Sequence, residues 1–168
     1  DLQKYVTDSL KITKNNRVDP AGNVVDQTVE TKVIKGSVGE KSLTELNIIL
    51  GGMPKGTTLT DAFFENSEMT ETKSSGKFRK GLAEKTEVTT SIWDPDVKDK
   101  AGVAVGGYVK DSQKITQSEV NVKGNILSQD VLSLIYDPLN AQADPVTGFL
   151  KSEHTMILNA GFKKNTPT

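Results

Sequence analysis

His154 is the single imidazole in 168 residues, and the chain has no cysteine. Thiol nucleophiles, thiolate metal sites and disulfides are therefore excluded, and any histidine-dependent triad has one candidate base. His154 sits in Ser152-Glu153-His154-Thr155. On an extended segment Ser152 and His154 share a side, too close along the chain for a nucleophile and its base. Another segment would have to bring the nucleophile, and His154 reads as a surface or interface residue.

Carboxylates offer the next chemistry. Asp94, Asp96 and Asp99 cluster in Trp93-Asp-Pro-Asp-Val-Lys-Asp-Lys-Ala-Gly102, and hard oxygen ligands at such density suit Ca²⁺. The order is not that of a calcium loop: Val97 and Lys98 interrupt it, no Glu closes it, and Lys98 and Lys100 can neutralise the acids. A solvated acidic turn is the expectation. The pairs Asp94/Asp96 and Glu84/Glu87 could supply acid and base, but neighbouring carboxylates arise in any charged chain. Gly51-Gly-Met-Pro-Lys-Gly56-Thr-Thr58 has the glycine spacing of a phosphate loop. That loop needs Lys after the second Gly, whereas Lys55 precedes it and Pro54 removes a cradling N–H. It reads as a turn. Trp93 could stack on a sugar or anchor a partner; as the largest side chain in an aromatic-poor chain, it reads first as a core plug at a strand end. These readings predict no catalytic residue, no metal and no cofactor.

Composition points the same way. Net charge is −1 from 21 basic and 22 acidic residues, interspersed. No basic stripe exists to follow phosphates, so nucleic acid is not the expected partner. A modest basic segment, Lys73, Lys77, Arg79, Lys80 and Lys85 around Phe78, is flanked by Glu65, Glu68, Glu71 and Glu84. No apolar run reaches the ~20 residues of a membrane helix, so membrane insertion is not expected. Hydrophobic content of 35% is low, fitting sheets with one wet face or a core finished by a neighbouring chain. The chain opens at Asp1, as a processed, exported protein would, and as a trimmed piece would too.

The elements that would hold these residues are strands. Leu2, Val6, Leu10 and Ile12 share one face of a leading strand, while Leu2, Tyr5, Val6, Ser9 and Leu10 also fit a helical stripe. The alternating Leu10-Lys-Ile-Thr13 favours a strand for the second half, followed by a turn-rich Lys14-Asn15-Asn16 and a strong turn at Asp19-Pro-Ala-Gly-Asn23. Further strands are predicted over Gln27–Lys35, Ser42–Leu50, Thr86–Trp93, Val103–Val109, Ile115–Ile126, Val131–Tyr136 and about Phe149–Phe162, with a helical turn at Leu59–Phe64. Residues 65–81 read as a long, solvated, mobile loop. Short strands with Pro/Gly turns between them, without a βαβ rhythm, predict an all-β sandwich or barrel.

The stretch Asp144-Pro-Val-Thr-Gly-Phe149-Leu-Lys-Ser-Glu-His-Thr-Met-Ile-Leu-Asn-Ala-Gly-Phe162, a Pro/Gly turn and an aromatic before an alternating final strand, resembles the ending of cysteine-free fimbrial (pilus) subunits of Gram-negative bacteria, of the chaperone–usher kind. The leading strand Leu2–Thr13 is similar to their donor extension. The resemblance covers about 35 residues at the two ends, and the tail Lys163–Thr168 runs past the family's last strand. It implies an incomplete immunoglobulin-like β-sandwich: residues 1–14 as an extension, 15–168 as one domain. A neighbour's strand would complete it, with Leu2, Val6, Leu10 and Ile12 as the inserted side chains. It further implies self-association into a homopolymer at the cell surface, an assembly chaperone, a host-surface receptor and a role in adhesion. The alternatives are a β-rich phage tail or virion protein, and a carbohydrate- or calcium-binding module built on Trp93 and the Asp94–Asp99 turn.

Overall fold

A computed structural model of the chain describes residues 9–35 and 63–159. Seven strands follow one another: β1 Ser9–Val18, β2 Val24–Ile34, β3 Phe64–Arg79, β4 Leu82–Asp94, β5 Gly107–Val120, β6 Ile126–Tyr136 and β7 Phe149–Leu158. They form one sheet in the order β1 to β7, each strand beside its sequence neighbours. The all-β expectation holds, in the form of a single open antiparallel meander.

One turn recipe recurs. Asp19 Oδ1 accepts the N–H groups of Ala21 and Asn23 at 2.9 and 2.8 Å. Asp99 Oδ1 does the same for Ala101 and Val103, both 2.9 Å, and Asn121 Oδ1 for Lys123 and Asn125 at 2.9 and 3.0 Å. In each, the fourth residue is glycine at positive φ: Gly22, Gly102 and Gly124 at 87°, 82° and 85°. The Asx side chain takes up two backbone donors, and glycine reaches the left-handed region at little cost. The sequence reading caught the first turn and missed the third, running one strand from Ile115 to Ile126. Asn121–Asn125 instead ends β5 and starts β6.

A larger correction concerns residues 65–81, read as a mobile loop but forming β3 and its hairpin to β4. The connection is Lys80-Gly81, at φ 51° and 81°, a pair of positive φ values that suits a two-residue hairpin. Burial within β3 alternates: Thr70, Thr72 and Ser74 are half-buried, while Glu71, Lys73 and Ser75 are exposed. The period of two is present, but in hydroxyls against charges, where an apolar pattern does not register. Lys14-Asn15-Asn16 likewise is no turn. Asn16 Nδ2 donates to Thr28 Oγ1 at 2.7 Å, and Gln27 Nε2 to Asn15 Oδ1 at 2.7 Å, so these residues are rungs between β1 and β2.

Of the described residues, 9–14, 29–35, 63–69 and 92–109 form one compact unit, and 15–28, 70–91 and 110–159 another. Within the second, register fixes two faces. Ile115, Gln117, Asp130, Leu132, Lys151 and His154 stand on one; Lys114, Thr116, Ser118, Gln129, Val131, Ser133, Glu153, Thr155 and Ile157 stand on the other. A register shift lets β7 carry Ser152 as an extra residue, which is why Lys151 and His154 share a face. Among the described residues the only buried hydrophobics are Val120 and Phe149, each 7% exposed. Phe149 meets Tyr136 edge-on at 5.4 Å between centroids, with Lys110 Nζ 5.6 Å from its ring.

Candidate functional site

A chemically mixed depression lies on the charged face of β4–β7. Its floor is Ile115 and Leu132, paired across β5 and β6; its rim is Lys85, Gln117, Asp130, Lys151 and His154, around a cleft of about 310 Å³. His154 stands opposite Leu132, and its Nε2 contacts Asp130 Oδ1. Both side chains are close to half exposed. Lys85 Nζ is held at 2.6 Å by Glu87 of the same strand. The lining contains no Ser, Thr or Cys, and Ser152 sits at the register shift rather than in the cleft. The arrangement can orient an imidazole and attract a polar group; it presents no hydroxyl to activate.

The acidic cluster has another occupation. Asp94 Oδ1 accepts the Asp96 N–H at 2.9 Å, and Asp99 Oδ1 caps the turn described above. Backbone donors thus take one oxygen each of Asp94 and Asp99. Among the described residues, no group of three or more His, Asp or Glu side chains is placed to hold a metal ion.

Trp93 is half-buried and packs edge-on against Tyr108, with centroids 5.1 Å apart and planes at 75°. Gly106 lies against the indole: a Cβ there would collide with Trp93 Cζ2. The connection from β4 to β5 folds as a small hairpin over this cluster, with Lys98 bridging Ala104 and the Val105 N–H donating to Val97 O at 2.9 Å. The sequence reading did not single out Tyr108. Its hydroxyl is buried without a hydrogen-bond partner among the described residues, and burial, then the nearby Glu30 charge, raise its pKa above the ordinary phenol value.

Of the expected donor-strand residues, Leu10 and Ile12 lie on β1, the edge strand beside β2, half-buried and 42% exposed. Leu2 and Val6 lie outside the described residues, as do Gly51–Thr58 and the strand expected over Ser42–Leu50. The basic residues Lys73, Lys77 and Arg79 fall on β3, Lys80 in the hairpin turn and Lys85 on β4. No helix among the described residues is long and apolar enough to cross a membrane. No family model, curated protein or solved structure matches the chain.

Proposed function

We propose that this chain is a non-enzymatic structural subunit of a cell-surface fibre, assembled by strand exchange between copies and contributing to adhesion. The observation that carries the reading is a sheet that covers too little of its own apolar surface. Against two buried hydrophobics among the described residues stand Leu158 at 74% exposure, Met156 at 66% and Ile135 at 51%. A sheet of this kind gains stability by adding strands and layers from other copies.

The two edges differ in a way that suits directional growth. β1 carries Lys11, Lys14 and Arg17 and no acid, charges that discourage pairing between identical edges. β7 ends in the uncharged run Thr155-Met156-Ile157-Leu158. Its first half is guarded by Lys151, Glu153 and the register shift at Ser152. The open half of β7 is the acceptor, and the leading segment with Leu2, Val6, Leu10 and Ile12 is the donor. Main-chain hydrogen bonds give affinity and alternate side chains give register. With a facing layer from another copy the completed unit is an immunoglobulin-like sandwich, and an assembly chaperone covers the same edge before assembly.

Negative-stain microscopy of the full chain beside a form lacking residues 1–13 tests this. Fibres that vanish on deletion support it. Because the deletion removes part of β1, Ile12→Lys provides a second variant with a milder change. A folded Ile12→Lys protein that polymerises as well as the parent overturns donation by this segment.

A further inference from the structure

The sparsely charged face of β4–β7 differs in kind from the face that carries His154. Thr86 shares a depression with Thr116, Ser118 and Gln129, which places it on the same face as the β5 and β6 residues in register with them. Val88 and Thr90 follow by alternation. Val131 and Ile135 run along β6, with Ile157 beside them on β7. The opposite face holds Lys85, Glu87, Glu119, Asp130, Lys151 and His154. Between residues 86–90, 114–120, 129–135 and 150–157, this face holds two charges only, Lys114 and Glu153.

Those two charges are placed symmetrically. Lys114 pairs with Ser133 on one side of β6, and Glu153 pairs with the same Ser133 on the other. They stand two strand spacings apart, roughly 10 Å, and neither makes an ion pair among the described residues. A two-fold axis parallel to β6 carries β5 over β7 and keeps each residue's level along the strand. Lys114 of one copy then faces Glu153 of the other, twice, and Val131 and Ile135 meet their own counterparts on the axis.

We propose that this face packs against the same face of a second copy, so that two chains supply the two layers of one β-sandwich. Charge complementarity selects the occupant: a copy in this orientation pairs both isolated charges, which leaves an otherwise neutral hydroxyl and aliphatic surface to pack. About this axis β5, β6 and β7 overlap, and three strands by seven residues give roughly 340 Å² of flat face per copy. With side-chain relief the pair buries about 900 Å², the size of a weak, reversible interface. Sheets stacked in this manner keep strand directions within about 30°, compatible with an axis along the strands. The inference concerns a face and does not depend on strand donation at the edges.

Sedimentation velocity on the full chain and on the form lacking residues 1–13 reads the outcome. The parent dimerises, and the dimer survives the deletion even if fibres do not. Lys114→Glu and Glu153→Lys each weaken the dimer at least about tenfold by setting like charges opposite, and combining them restores it. Val131→Lys gives a monomer, whereas Leu132→Lys, on the other face, leaves the dimer intact. Circular dichroism checks the fold of each variant; if Val131→Lys unfolds, the charge swap decides alone. A monomer at every concentration overturns the inference, as does a double charge variant no better than its parents.

Discussion

The contact between Gly106 and Trp93 makes a quantitative prediction for Gly106→Ala. Two costs combine. Gly106 sits at φ 69°, and an L-residue in the left-handed region costs about 1–2 kcal/mol. The added Cβ would also meet Trp93 Cζ2 closer than real carbon atoms approach, with Cε2 at a tight 3.0 Å, so the indole must swing away. Losing its edge-on packing with Tyr108 costs about 1 kcal/mol. Re-exposing roughly 50 Å² of ring surface adds about 1 kcal/mol more. The expected total is about 3–4 kcal/mol. Gly102→Ala is the control: its φ is 82° but nothing lies within 4 Å of its Cβ, so only the backbone cost of about 1–2 kcal/mol applies. Urea unfolding followed by the single tryptophan's fluorescence measures both, and the native emission of Gly106→Ala should shift to the red. Equal losses for the two variants, with unchanged native emission, would refute the seating of Trp93 on Gly106.

Other residues give further expectations. Tyr108→Phe removes a buried, unpartnered hydroxyl and should leave stability unchanged or raise it by up to about 1 kcal/mol; a clear loss in thermal melts would mean that the hydroxyl has a partner. Phe149→Ala should cost about 3–4 kcal/mol in urea titration, since this ring is among the few buried side chains. Asp19 and Asp144 are both held below the ordinary carboxylate value, Asp19 chiefly by the Asn23 side chain and Asp144 chiefly by the Thr147 N–H. A depressed folded pKa contributes stability above the unfolded value and loses it as pH falls through the folded one. Stability should therefore fall below about pH 4, and Asp19→Asn, keeping the acceptor oxygen without the charge, should flatten that slope in melts from pH 7 to 2. Leu158→Lys, on the open half of β7, should suppress fibre growth in light scattering without lowering the melting temperature.

Much of the strand pattern is legible where alternation is apolar. Val131–Tyr136 lies within β6, and Phe149 starts β7, because Leu, Ile and Phe mark the period directly. Where a strand is wet on both faces, the period survives only as hydroxyl against charge. That is why β3 read as a loop, although Thr70, Thr72 and Ser74 alternate with Glu71, Lys73 and Ser75. Asn15 and Asn16 misled for a related reason: asparagine favours turns on its own, but here cross-strand hydrogen bonds hold it in β1. The Asp99 turn shows the converse. Its carboxylate was legible as a candidate calcium ligand, while the shared Asx-x-x-Gly spacing with Asp19 and Asn121, which explains it as a backbone cap, went unread. The pairing of His154 with Asp130 needed the register of β6 and β7, which no local pattern supplies.

The central claim is that this sheet is finished by other copies of itself. Sedimentation of the intact chain over a wide concentration range tests that most directly. Mass should rise with concentration, and the larger species should resist dilution once formed. A chain that stays monomeric throughout, and still unfolds in one cooperative, concentration-independent step, would contradict it.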